Sequence, residues 1–91
     1  MLKPDLRARW RLDPDVAFLN HGSFGSCPRE VLQLQQELRS RLEAQPVQFF
    51  IRDLQSQLDE ARVATAEFIG TDPAGLVFVP NTTTAVNAVL R

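Results

Sequence analysis

The apolar residues of this chain recur at helical spacing through its middle, then close up into one continuous run near its end. From Arg29 to about Ala44, Val31, Leu34, Leu38 and Leu42 fall at i, i+3, i+7 and i+11, one face of a helix with Gln, Glu and Arg opposite. Pro46 ends that helix or bends it sharply. Phe49, Phe50 and Ile51 form an apolar knot at the break. A second helix is predicted from near Asp53 to Ile69, with Leu54, Leu58, Ala61, Thr65 and Phe68 as its buried stripe. Gly70 stands where a left-handed C-terminal cap is expected. Leu76-Val77-Phe78-Val79 then shows no alternation, which predicts a strand covered on both faces, as in a parallel sheet. Pro80 stops it, Asn81 and three threonines offer N-cap side chains, and Ala85–Leu90 begins an apolar helix.

Residues 1–15 read as an N-terminal arm in which Leu6, Trp10 and Leu12 form a short helical face. Val16–Leu19 is a brief extended segment, and Asn20–Ser26, with two glycines and two serines, is a loop. Ser26 before Pro28 marks a helix start. A strand buried on both faces needs neighbours. The pattern therefore predicts an α/β fold: a helical segment, then the first strand and helix of a sheet-forming domain cut off soon afterwards. The alternative is a complete helical mini-domain whose last segment is a tail.

Composition narrows the function. Ninety-one residues are too few for a large cofactor-dependent catalytic domain, while 44% apolar residues argue against disorder of the whole chain. A net charge of -1 gives no bulk attraction for nucleic acid or an anionic membrane. One cysteine excludes an internal disulfide, and one histidine with one cysteine provides no zinc-ligand spacing, so no metal is expected. The N-terminus is charged, is broken by Pro4 and Pro14, and lacks the apolar core of a secretory signal. No apolar run approaches the roughly 20 residues that span a bilayer. A soluble, cytoplasmic protein is expected.

The strongest chemical signal is the passage from Leu76 to Thr84, read as strand, tight turn and helix start. Free backbone N–H groups and the positive end of the helix dipole favour phosphate there, and the Thr82 and Thr83 hydroxyls add donors. Ordinary capping without a ligand reads the same residues. The second signal is the Asn20–Ser26 loop, where Gly22 and Gly25 permit close backbone approach and His21 can hydrogen-bond, stack or move a proton. A surface turn is the plainer reading. Cys27 is expected as a buried structural cysteine, and Arg52 and Arg62 as solvating charges.

Three segments together resemble a known family. Leu19-Asn20-His21-Gly22-Ser23-Phe24-Gly25-Ser26-Cys27-Pro28-Arg29 resembles the opening motif of isopenicillin N epimerase-like enzymes. Gln45-Pro46-Val47-Gln48-Phe49-Phe50-Ile51-Arg52 resembles their next landmark. Phe78 to Asn87 resembles the turn that holds the cofactor phosphate. The match runs over residues 16–91 and belongs to the class V aminotransferase group of pyridoxal 5'-phosphate (PLP) enzymes.

The resemblance implies a fold type I large domain beginning at residue 16, a homodimer, and a small amino-acid-type substrate handled by epimerase, lyase or desulfurase chemistry. It implies Thr82 and Thr83 as cofactor-binding residues, and Asn20, His21 and Gly22 as a substrate-side loop. The Schiff-base lysine of the group has no counterpart here, since Lys3 is the sole lysine and sits in the arm. A helical interaction module without catalytic activity is the rival reading.

The 91-residue chain by itself is therefore expected to lack PLP catalysis. Borohydride reduction with PLP, followed by peptide mass analysis, should show only sparse labelling of Lys3 and the α-amine. A stoichiometric adduct on Lys3 accompanied by turnover of an amino acid would overturn this expectation.

Overall fold

The structure, a computed structural model, describes residues 4–91. Lys3 thus lies outside the described residues, as does the start of the arm. The elements are α1 (Pro4–Arg7), α2 (Arg29–Ala44), α3 (Pro46–Gln48), a π-helical turn (Phe49–Asp53), α4 (Leu54–Ile69), a 3-10 turn (Pro73–Gly75) and α5 (Thr82–Leu90). The chain forms two compact units whose boundary falls between Pro46 and Val47.

In the first unit, α1 passes into a turn in which the N–H groups of Arg9 and Trp10 donate to the carbonyls of Leu6 and Arg7, both at 3.1 Å. Leu6, Trp10 and Leu12 are all half-buried, although the helix ends at Arg7. Helix α2 has the bounds its periodicity predicts, but its start differs. Pro28 occupies the N-cap in an extended conformation, and no side chain caps the helix. The Ser26 start signal is therefore not used. The expected apolar face is only partly covered: Leu38 and Leu42 are half-buried, whereas Val31 and Leu34 remain exposed, and Leu32, outside that face, is half-buried.

Gln45, with φ -147° and ψ 77°, breaks the helix, and Pro46 opens the next one. Proline suits that position because its missing N–H would have had no partner there. The second helical run thus begins well before Asp53. A bond from the Leu54 N–H to the Phe49 carbonyl marks the π turn between α3 and α4. Phe49 is buried and meets Phe50 edge to face at 5.6 Å. Gly70 closes α4 in the left-handed region (φ 76°), as its position predicts, and the Thr71 N–H donates to the Ala66 carbonyl at 2.9 Å. Ala66 is fully buried, whereas the expected stripe residues Leu58 and Phe68 are exposed.

Arg62 ties the next turn to α4. It donates to Asp59 Oδ1 at 2.8 Å and to the Pro73 carbonyl at 3.4 Å. Asp72 caps that turn by accepting from the Ala74 N–H at 2.9 Å.

The α/β expectation is overturned. No strand occurs among the described residues, and Leu76–Val79 forms none. Leu76 is extended, but its N–H donates to the Pro73 carbonyl of the preceding turn. Val77, Phe78 and Val79 are exposed rather than covered on two faces. The physical reason is that extended backbone becomes a strand only by pairing with another, and β-rich composition supplies no partner.

Gly70 and Gly75 offer a controlled comparison, since a Cβ at either would meet nothing within 4 Å and only Gly70 has positive φ. Gly70→Ala should destabilise the full-length protein by about 1–2 kcal/mol through left-handed strain alone. Gly75→Ala should be neutral or slightly stabilising, as read by chemical denaturation.

Candidate functional site

The two segments singled out by sequence belong to different units. At the start of α5, Asn81 is extended (φ -164°, ψ 170°), and its Oδ1 accepts from the Thr84 N–H at 2.9 Å and the Thr84 hydroxyl at 3.0 Å. The Ala85 N–H donates to the Asn81 carbonyl at 3.2 Å. Capping therefore engages Asn81 and Thr84. It leaves the N–H groups of Thr82 and Thr83 without a partner, as expected of the first turn of a helix. Their hydroxyls are also unpaired, and both residues are exposed. Four hydrogen-bond donors thus stand together at the positive end of the helix dipole. That donor set fits a phosphate group.

In the other segment, the loop folds upon itself. Asn20 Oδ1 accepts from the Ser23 N–H at 3.3 Å, and His21 Nδ1 accepts from the Ser26 N–H at 3.2 Å. The His21 ring meets Phe18 edge-on, with centroids 4.6 Å apart. With Nδ1 accepting, a neutral ring would carry its proton on Nε2. Nε2 itself has no partner. Gly25 packs closely within the loop, since a Cβ there would lie 3.0 Å from the His21 carbonyl oxygen. Asn20, His21 and Gly22 are all exposed. Cys27, expected to be buried, is exposed as well.

Two residues of this unit had no sequence signal. Arg7 Nη2 donates to the carbonyls of Asp13, Pro14 and Val16 at 3.2, 3.3 and 3.2 Å. Arg29 Nε donates to the Trp10 carbonyl at 3.3 Å, and the Arg29 N–H donates to the Arg9 carbonyl at 2.7 Å. Such contacts to backbone carbonyls leave no pattern in residue type or spacing. Among the described residues no group of His, Cys, Asp and Glu is placed to hold a metal, and no helix is long and apolar enough to cross a membrane.

No family model and no solved structure matches the chain. Curated proteins do. The isopenicillin N epimerase of Streptomyces clavuligerus is 40% identical over 85 residues, which is 93% of this chain and 21% of that protein. The isopenicillin N epimerase of Amycolatopsis lactamdurans is 41% identical over 91% of this chain and 21% of its own length. A probable chloroplastic L-cysteine desulfhydrase of Arabidopsis thaliana is 36% identical over 87% of this chain and 17% of its own length. The chain spans about a fifth of the length of these relatives. Over nearly its whole length, the chain is similar to the opening part of isopenicillin N epimerases and L-cysteine desulfhydrases.

Proposed function

We propose that this chain is the N-terminal part of a PLP-dependent enzyme acting on an amino-acid-type substrate, with residues 16–91 opening its cofactor-binding domain. The observation that carries the reading is the unpaired donor set of Thr82 and Thr83 at the start of α5. In this reading their N–H groups and hydroxyls hold the cofactor phosphate, and Asn81 keeps the helix start fixed by capping Thr84. When bound, PLP supplies an electron sink that weakens the bonds at the substrate Cα. Asn20, His21 and Gly22 form the substrate-side loop. The Ser26 N–H holds His21 Nδ1, so the ring presents a donor at Nε2. The relatives' names, an epimerase and L-cysteine desulfhydrases, support an amino-acid substrate. A homodimer working in the cytoplasm completes the proposal.

A helical interaction module is favoured by one observation, the exposure of Val31, Leu34, Phe50, Ile51 and Phe68. Identity of 40% across 93% of the chain to an epimerase supports the enzyme instead.

Substitutions in the full-length protein test the phosphate turn. Thr83→Val should weaken PLP retention by about 1.5–3 kcal/mol, the contribution of a hydrogen bond to a charged group. Asn81→Ala should cost about 1 kcal/mol of stability through the lost cap. Asn81→Asp should keep that stability, because it retains the acceptor, yet repel phosphate and lower PLP affinity. PLP affinity unchanged in both Thr83→Val and Asn81→Asp, measured by equilibrium titration, would remove the assignment.

A further inference from the structure

The arm and the His21 loop are joined at a neck. The first N–H of α2, that of Arg29, has no partner within its helix, and the Arg9 carbonyl takes it at 2.7 Å. The Arg29 side chain adds a second bond, from Nε to the Trp10 carbonyl. Everything between Arg9 and Arg29 is thereby closed into one loop. Arg7 fastens one limb of it through three carbonyls, of Asp13, Pro14 and Val16. Beyond Val16, the polar contacts of the loop tip are internal: Asn20 with Ser23, and His21 with Ser26. These fix the shape of the tip and not its place.

We propose that Arg7 and Arg29 are positioning residues that clasp the N-terminal arm to the start of α2 and so set where Asn20 and His21 stand. The described part of the arm then works as part of the loop. The chemistry suits the task. A cationic N–H group suits three carbonyls converging on one point, and a guanidinium keeps its charge at every physiological pH. Closing a long loop at its neck also removes much of the tip's freedom to wander. The catalytic consequence rests on the reading of Asn20, His21 and Gly22 as the substrate-side loop.

The test uses the full-length PLP-loaded protein and compares Arg7→Met, Arg29→Met, the double variant and Arg7→Lys. Hydrogen exchange is read by mass spectrometry over residues 16–27 and, as a control, over α4. The double variant should exchange about fivefold faster or more over 16–27, the factor for losing roughly 1 kcal/mol of local closure. Exchange over α4 and the PLP absorption band should be unchanged. Arg7→Lys, which keeps a cationic donor, should recover much of the protection. Turnover should fall in the double variant and in His21→Ala alike. Unchanged exchange over 16–27, or equal acceleration over α4, would overturn the clasp. Accelerated exchange over 16–27 with fully active His21→Ala would leave the clasp standing, but remove the substrate-side reading and the catalytic consequence with it.

Discussion

The first N–H groups of a helix have no partner in that helix, and the organisation of this chain follows from how each helix start meets that constraint. At α2 a carbonyl of the arm, that of Arg9, meets the N–H of Arg29. At Pro46 one of these donors is absent, because proline has no N–H to satisfy. At the 3-10 turn Asp72 accepts from Ala74. At α5 Asn81 accepts from Thr84, and the donors of Thr82 and Thr83 stay open. One constraint thus yields a bond between the arm and α2, a restart, a cap and a turn with open donors.

These local devices matter because the chain has little core of its own. Phe49 and Ala66 are its buried hydrophobic residues among those described, while Leu19, Phe24, Phe68 and Val89 are each more than 80% exposed. At about 25 cal/mol per Å² of apolar surface buried, such side chains leave a large hydrophobic contribution unrealised. The relatives are about five times as long as the region they share with this chain.

Arginine has a part here that its exposure conceals. Arg7, Arg29 and Arg62 each bond to a backbone carbonyl outside their own element. Arg62 clips the 3-10 turn to α4, and Arg7 and Arg29 gather the arm. Such bonds at or near the surface are individually weak, yet charged donors are the stronger members of their class. In units without much buried area they set which segments lie together.

Some of this was determined by sequence alone, and the reason is locality. The span of α2, the Gly70 cap and the Asn81 cap depend on residues within one turn of each other, so spacing and residue type suffice. The helical restart shows the limit of such signals. Pro46 marked the break, but the π turn over Phe49–Asp53 that carries the helix onward had no signature. The candidate phosphate donors were legible in Asn81 and the threonines, because a helix start exposes N–H groups whatever surrounds it. Leu76–Val79 was misread because strand formation is a property of pairs of segments, and one sequence window contains only half of a pair. The burial of the Leu stripes, the exposure of Cys27 and the carbonyls reached by Arg7 and Arg29 were likewise decided by tertiary structure. Each depends on what a distant segment brings close, and spacing along one helix or loop does not encode that.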